Sequence, residues 1–158
     1  MQITLKTNRG DIGLEMMDKD APKTVANFAK LAGEKFYDGT KFHRVIANFM
    51  IQGGDPQSAD DALMSRWGTG DPGYKFEDEI HAHNQNAVGT IAMANSGPNT
   101  NGSQFFINVA DNNFLDTKHT VFGKVISGMD VVEAISETQT GASDRPVEPV
   151  IITSVTVA

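Results

Sequence analysis

Short apolar runs with period-two alternation dominate this chain and restrict it to a mainly β fold. Ile3 and Leu5 alternate with polar neighbours, and after a turn at residues 8–11 the alternation resumes at Ile12 and Leu14. This pattern predicts two strands with one buried face each, joined as a hairpin. Further short apolar segments, separated by turn residues, lie at residues 42–46, 49–52, 88–94, 104–109, 121–125 and 150–157.

Only two segments carry a helical pattern. The first runs from about Pro22 to Glu34, where Asp20 offers a capping residue and Pro22 suits the first turn. The second covers residues 129–136. Residues 57–74 are rich in Gly, Asp, Ser and Pro and show little periodicity, which predicts a long surface loop of a kind that is often functional.

These elements predict an antiparallel β-barrel accompanied by two helices. Closing the sheet removes the exposed strand edges that a sheet of this size would otherwise present. The 158 residues suit one domain, and no repeat, low-complexity tract or linker divides them. We therefore expect a single domain over residues 1–158, and a closed barrel favours a monomer.

Charge and composition exclude several classes of function. Thirteen basic and twenty acidic residues leave a net charge of -7, which opposes binding to nucleic acid or to an anionic membrane surface. The chain has no cysteine, so disulfides, thiolate metal sites and a cysteine nucleophile are ruled out. The N-terminal MQITLKTNR lacks the apolar stretch of a signal peptide, and no apolar run approaches membrane-spanning length. We expect a cytoplasmic protein.

Three segments combine large apolar side chains with isolated polar ones. In residues 42–55, a strand would point Phe42, Arg44 and Ile46 the same way and place one cation beside an apolar patch. Each segment also has an ordinary structural explanation, which for this one is a solvated arginine at a sheet edge.

The second segment, residues 93–107, contains a loop dense in Gly, Asn and Ser that could cradle an extended ligand through backbone groups. It lacks the lysine of a phosphate-binding P-loop, and Asx-turns that stiffen the loop would explain it equally well. In the third, residues 113–123, aromatic residues precede His119, which could be an ordinary structural histidine.

Together these segments resemble the cyclophilin family of peptidyl-prolyl cis-trans isomerases, and the similarity is collinear along essentially the whole chain. The matching strings are FHRVIANFMIQGGDP from residue 42, KFEDE from 75, MANSGPNTNGSQFFI from 93 and LDTKHTVFGKV from 115. The resemblance implies a closed eight-stranded antiparallel barrel capped by two α-helices. It also implies an enzyme that assists protein folding by speeding rotation about X-Pro peptide bonds, without a cofactor or a metal. Its partners would be proline-containing peptides and protein clients.

The same resemblance assigns residues to a peptide groove. Arg44 matches the catalytic arginine of the family, and His43 is expected behind it. The residues that match the proline pocket and its rim are Phe49, Met50, Phe106, Leu115 and His119. Those that match the groups holding the substrate chain, or lining the same groove, are Gln52, Ala94, Asn95 and Gln104. The residues that match the border of a secondary pocket are Gly68, Thr69 and Gly70.

One position departs from the family pattern. Where many members carry tryptophan just before the pocket leucine, this chain has Phe114, which keeps an apolar ring but lacks the indole N–H donor. We expect catalysis to persist, and cyclosporin to bind more weakly than to relatives that carry tryptophan. Trp67, in the long loop, offers no evident substitute.

Two further groups of residues are weaker candidates for a functional site. Glu77, Asp78 and Glu79 could act as acid and base, but a run of adjacent charges is usually a solvated segment. His81 and His83 provide half of a metal site, and because no further ligand lies nearby in sequence we predict no metal there.

Two other functions fit much of this pattern. A non-catalytic module could use the same groove to hold proline-containing segments of a partner, although a pure binder gains little from Arg44 aimed at the proline nitrogen. A lipocalin-type barrel would bind a small molecule in its interior, but the Phe and Leu residues spread over the predicted strands indicate a filled interior.

Overall fold

The alternation at the start of the chain produces a hairpin that belongs to an eight-stranded sheet. The computed structural model describes residues 1–158. The strands are β1 (Gln2–Thr7), β2 (Gly10–Met16), β3 (Arg44–Ile46), β4 (Met50–Gly53), β5 (Thr90–Met93), β6 (Phe105–Asn108), β7 (Val121–Ser127) and β8 (Ile152–Val157). The helices are α1 (Pro22–Gly33) and α2 (Met129–Ser136). None of the helices is both long and apolar enough to span a bilayer.

The strands follow the order β3-β4-β6-β5-β7-β2-β1-β8, and every neighbouring pair is antiparallel. The two end strands, β3 and β8, are joined through the segments that precede them. The Ile152 N–H donates to the Thr40 carbonyl at 2.8 Å, and the Phe42 N–H donates to the Val150 carbonyl at 3.0 Å. The predicted eight-stranded antiparallel barrel is therefore confirmed, but the term closed overstates it, because β3 and β8 do not pair directly and only a short irregular ladder joins this edge.

Inward-pointing side chains fill the barrel. One cluster of 24 buried residues occupies the interior. Phe28 of α1 contributes to it, with its ring centroid 5.0 Å from that of Tyr37 and 5.4 Å from those of Phe105 and Phe122. A packed interior of this kind leaves no room for the central ligand of a lipocalin-type barrel.

The opposite side chains of the central strands form a second, smaller cluster on the outer face. It consists of Met50, Ala92, Phe106 and Val121, each no more than 4% exposed. Because successive side chains of a strand point to opposite faces, every member is a neighbour in sequence of a residue that packs inside the barrel. This outer cluster is the floor on which the candidate site is built.

A residue distant in sequence caps α1. The prediction that Asp20 caps this helix is wrong, since no side chain of the preceding turn bonds its first N–H groups. Instead, the Glu79 carboxylate accepts hydrogen bonds from the N–H groups of Lys23 at 3.2 Å and Thr24 at 2.6 Å. A carboxylate is favoured there by the free N–H groups and the helix dipole. Packing of two distant segments therefore supplies the cap.

Residues 57–74 form the predicted surface loop, which the structure shows to be internally organised. A 3₁₀ turn at Pro56–Ala59 overlaps its start, and a second at Asp61–Arg66 lies within it. The Trp67 ring contacts two cations, with its centroid 5.0 Å from the ammonium of Lys41 and 5.1 Å from the guanidinium of Arg145. These cation–π contacts tie the loop to the body of the barrel.

Candidate active site

One row of side chains crosses the outer face of four neighbouring strands. The strand register places Arg44 of β3 opposite Gln52 of β4, and Gln52 opposite Phe106 of β6. Phe106 lies opposite Ala92 of β5 on its other side. Directly opposed residues share a face of the sheet and have β-carbons about 4.5 to 5.5 Å apart. The sheet therefore arranges a cation, an amide and a buried aromatic ring side by side.

A cavity of about 230 Å³ lies along this row. Its lining consists of nine residues assigned above to the peptide groove, namely Arg44, Phe49, Met50, Gln52, Ala94, Asn95, Phe106, Leu115 and His119. Five of them are apolar, and two of these, Met50 and Phe106, belong to the outer cluster. Apolar side chains thus form the floor of the cavity and polar side chains form its edges, as expected for a site that binds a small ligand.

Arg44 is the permanently charged member of this lining. Its side chain is exposed, and its Nη1 lies 3.3 Å from Oε1 of Gln52. No carboxylate forms an ion pair with it. The guanidinium therefore keeps donors that are free for a ligand in the groove.

Phe42 does not accompany Arg44, so the prediction that the two share a face is wrong. The regular strand begins only at Arg44, and Phe42 lies in the irregular ladder that closes the barrel. Its ring is fully buried in the interior cluster. Ile46 follows the prediction, since it packs against the outer cluster.

His119 stands at the rim of the cavity and is held in one orientation. Its Nδ1 lies 2.8 Å from the Met93 carbonyl oxygen, which assigns the ring proton to Nδ1 and leaves Nε2 as an acceptor. Its ring meets Phe106 edge-on, with centroids 5.3 Å apart. The Asn95 side chain donates to the Lys118 carbonyl at 2.8 Å. The polar side chains at the rim are therefore held by hydrogen bonds to the main chain.

Phe114 lies beside the cavity rather than in its lining. Its side chain is 67% exposed, and its ring stacks on Phe49 with centroids 6.0 Å apart. Leu115, the next residue, does line the cavity. Phe114 therefore extends the apolar surface outward from Phe49 and offers an exposed ring without a hydrogen-bond donor.

A second, more polar cavity of about 340 Å³ adjoins the first and shares Gln52, Ala94 and Asn95 with it. Gly68, Thr69, Gly70 and Gln104, assigned above to the secondary pocket and the groove, also line it. The other lining residues are Asp71 in the predicted surface loop, Lys75 just after it, and Ser96, Thr100, Gly102 and Ser103 in the loop that was predicted to cradle a ligand. None of the six was predicted individually, and the composition of these loops was the signal that pointed to them.

Hydrogen bonds connect residues that line the two cavities. Gln52 Nε2 donates to Gln104 Oε1 at 3.0 Å, and Gln104 Nε2 donates to the Gly70 carbonyl at 3.0 Å. The loop that carries Gly70 is anchored by Asp55, whose buried carboxylate accepts from the N–H groups of Gly68 at 2.6 Å and Gly70 at 3.1 Å. The loop wall, the two glutamines and Arg44 therefore form one connected network.

His43 lies outside the groove. Its side chain is 6% exposed and lines a separate cavity together with Trp67 and Arg145. Burial lowers the pKa of His43, and neither ring nitrogen has a hydrogen-bond partner. Because His43 immediately precedes Arg44, it faces away from the groove and can act on a ligand only through its neighbour.

The acidic run at residues 77–79 is solvated only in part, since Glu77 is exposed whereas Asp78 and Glu79 are half-buried and bond to other segments. Asp78 Oδ1 accepts from Asn101 Nδ2 at 2.8 Å, and Asp78 Oδ2 accepts from the Asn99 N–H at 3.1 Å. Glu77 pairs with Lys23, while Glu79 caps α1 as described. The run therefore ties the Asn-rich loop beside the second cavity to the rest of the barrel.

Known proteins of one family match this chain over nearly its whole length. Residues 2–157 match the family model described as cyclophilin type peptidyl-prolyl cis-trans isomerase/CLD. A peptidyl-prolyl cis-trans isomerase A of Mycobacterium tuberculosis is 50% identical over 98% of this chain and 91% of its own length. A peptidyl-prolyl cis-trans isomerase-like 1 of Bos taurus is 48% identical over 95% of this chain and 88% of its own.

A solved structure shows the same similarity in three dimensions. The crystal structure of a Cryptosporidium parvum cyclophilin type peptidyl-prolyl cis-trans isomerase, determined in the presence of the dipeptide Ala-Pro, superimposes with a TM-score of 0.91. The two chains are 32% identical, and the match covers 100% of this chain and 99% of the other. By its sequence and by its fold, this chain belongs to the cyclophilin family of peptidyl-prolyl cis-trans isomerases.

Proposed function

We propose that this chain catalyses rotation about the peptide bond preceding proline, with the proline ring on the outer cluster and Arg44 beside its nitrogen. The observation that carries the proposal is the exposed Arg44 guanidinium, which has no carboxylate partner and stands in the same row as the buried Phe106 ring. The Ala-Pro dipeptide named with the Cryptosporidium parvum structure supports a proline-containing peptide as the ligand.

The chemistry of the reaction explains why such a groove is sufficient. Amide resonance produces a rotation barrier of about 18 to 20 kcal/mol. In the twisted state the resonance is lost, and the proline nitrogen becomes pyramidal with a localised lone pair. A donor near that nitrogen interacts weakly with the planar amide and strongly with the twisted one, which is the differential stabilisation that catalysis requires.

The remaining residues support this step without bond-making chemistry. The apolar side chains of Phe49, Met50, Phe106 and Leu115 exclude water around the ring, which strengthens the hydrogen bond from Arg44. Gln52 and the Asn95 main chain can hold one side of the peptide while the other side turns. No covalent intermediate, proton transfer or cofactor is required.

The decisive experiment is NMR exchange spectroscopy on a short peptide with one Ala-Pro bond. A hydrogen bond from a charged donor contributes about 1.5 to 3 kcal/mol, so we expect Arg44→Ala to slow the catalysed exchange by about 10- to 150-fold. Its unfolding free energy should stay within about 0.5 kcal/mol of wild type, because the side chain is exposed. The matched control is Arg9→Ala, since Arg9 carries a guanidinium that lines neither of the two cavities at the candidate site.

The same experiment separates the enzyme from the non-catalytic peptide-binding module. A module would shift and broaden the peptide signals without accelerating cis-trans exchange. Full activity in Arg44→Ala would remove Arg44 from the mechanism, while peptide binding without any rate enhancement in wild type would establish the module instead.

The finer features of this function are also proposals. Clients would be proteins with accessible X-Pro bonds, and a closed barrel supports action as a monomer. Cytoplasmic location stays a prediction from the sequence. Weak binding of cyclosporin rests on Phe114, whose ring has no N–H donor.

A further inference from the structure

We propose that Asp20, His81 and His83 form a binding site for a divalent transition-metal ion, separate from the peptide groove. The three residues each offer one ligand atom, and these atoms all lie within 4.8 Å of one another. None of the three lines the groove or the second cavity. The sequence contains only the His-Ala-His pair, and the third ligand comes from a position about sixty residues earlier in the chain.

The helix cap brings the three residues together. Glu79 binds the first turn of α1 through the N–H groups of Lys23 and Thr24, and Asp20 lies in the turn that leads into that helix. The segment after Glu79 therefore passes beside Asp20. The Oδ2 atom of Asp20 lies 3.3 Å from Nδ1 of His83.

The far end of the His-bearing segment is anchored as well. Asn84 Nδ2 donates to the Asp116 carbonyl at 2.6 Å, and Asn84 Oδ1 accepts from the Val121 N–H at 2.8 Å. With Glu79 held at one end and Asn84 at the other, the backbone that carries both histidines is largely fixed before a ligand arrives. Such preorganisation lowers the entropy cost of binding.

The orientation of His81 suits a metal ligand. Its Nε2 lies 2.8 Å from the Val121 carbonyl oxygen, which assigns the ring proton to Nε2 and leaves Nδ1 as the nitrogen with a lone pair for a metal ion. Histidines that bind metals usually donate their other N–H to a backbone carbonyl or a carboxylate in this way. The Nδ1 atom also accepts from the His83 N–H at 3.2 Å, a long hydrogen bond that a metal would replace.

The ligand atoms of the three residues need to move only slightly closer together to bind one ion. Metal–ligand bonds of about 2.0 to 2.2 Å place tetrahedral ligand atoms roughly 3.3 to 3.6 Å apart. The His83 side chain is 74% exposed and Asp20 is 34% exposed, so both can rotate to close the remaining gap. Asp20 has no Lys or Arg partner that a metal would have to displace.

The donor set selects the class of ion. Two imidazoles and one carboxylate suit Zn²⁺, Ni²⁺ and Cu²⁺, whereas Mg²⁺ and Ca²⁺ prefer sites made of oxygen. Three protein ligands leave coordination positions for water. Affinity should therefore rise from Mn²⁺ to Ni²⁺, and Mg²⁺ should not compete.

The test is isothermal titration of the full, untagged chain with ZnCl₂ after treatment with a chelator. We expect saturable binding of one ion per chain, and at least about tenfold weaker binding in His83→Ala and in Asp20→Asn, because even outer-shell changes typically cost that much. Asp18→Asn is the matched control, since Asp18 is an exposed carboxylate that pairs with the N-terminus rather than with a histidine.

A second readout locates the ion. Paramagnetic Ni²⁺ should broaden the amide signals of residues 19–21 and 80–84 before those of the groove. Absence of saturable binding up to roughly 1 mM free Zn²⁺, unchanged affinity in His83→Ala, or broadening centred on His119 would each overturn the proposal. Isomerase activity of the apo protein should be the same in wild type and His83→Ala, so the outcome is independent of the proposed catalytic function.

Discussion

The Nη1 atom of Arg44 lies 3.3 Å from Oε1 of Gln52, directly across the pairing of β3 and β4. Gln52 in turn donates to Gln104 at 3.0 Å. Arg44 is exposed and belongs to a flexible residue type, so this neighbour is what limits the directions in which its guanidinium can point. We therefore expect Gln52 to position Arg44 in addition to any contact with the peptide.

This relationship predicts a coupled loss of activity. The hydrogen bond from the Arg44 guanidinium to Gln52 is exposed and long at 3.3 Å, so we expect Gln52→Ala to lower the isomerisation rate by about 2- to 12-fold, which corresponds to about 0.5 to 1.5 kcal/mol. In the double variant Arg44→Ala/Gln52→Ala the loss should be smaller than the product of the two single losses, because Gln52 acts partly through Arg44. Rates from NMR exchange at saturating peptide give the comparison. Strictly multiplicative losses would show that the two residues act independently.

Substitutions of Phe106 and of Phe114 should differ in their effects on stability and on peptide binding. Phe106 is 4% exposed at the centre of the outer cluster, so Phe106→Ala should lower the unfolding free energy by about 3 to 5 kcal/mol and abolish most activity. Phe114 is 67% exposed, so Phe114→Ala should change stability by about 0.5 kcal/mol or less while weakening peptide binding. Urea denaturation measures the first effect and peptide titration the second. Equal destabilisation by both variants would contradict the burial of Phe106 described above.

Phe114 also predicts the response to cyclosporin. Its ring offers no N–H donor, so wild type should bind the drug weakly, and Phe114→Trp should restore a donor at the same exposed position. One added hydrogen bond corresponds to a gain in affinity of about 2- to 12-fold. Inhibition of the isomerase reaction by cyclosporin is the measurement. Nanomolar inhibition of wild type, or no gain in Phe114→Trp, would contradict this explanation.

His43 should make stability depend on pH. Burial lowers its pKa in the folded protein, while an unfolded histidine has a pKa of about 6.5. As the pH falls below about 6.5, His43 becomes protonated in the unfolded chain but stays neutral in the folded protein. The free energy of unfolding therefore decreases, and this group contributes up to about 1.4 kcal/mol per pH unit. The stability that His43 contributes is thus fully present above that pH and is lost on acidification.

A non-titrating variant checks this assignment. His43→Leu places an apolar side chain of comparable size in the buried site and has no proton to gain. Urea denaturation at pH 7.5 and pH 5.5 should show a smaller loss of unfolding free energy for the variant than for wild type. An equal loss in both proteins would assign the acid sensitivity to other groups.

Short-range patterns in the sequence were sufficient to place the strands and the two helices, whereas the list of groove residues came from the resemblance to the cyclophilin family. Alternation with period two is a local property, and it puts Met50, Gln52 and Phe106 on one face once the strands exist. The match to the family strings named the same residues. For this reason the eight strands and both helices lie close to their predicted positions.

Contacts between distant segments decided the rest. Glu79 caps a helix more than fifty residues away, Phe42 turns inward where the barrel closes, and Asp20 completes a cluster with His81 and His83. None of these follows from local periodicity, because each depends on which segments the packed barrel brings together. A run of charges or a pair of histidines has no fixed role in sequence, and only tertiary packing supplies the partner that gives it one.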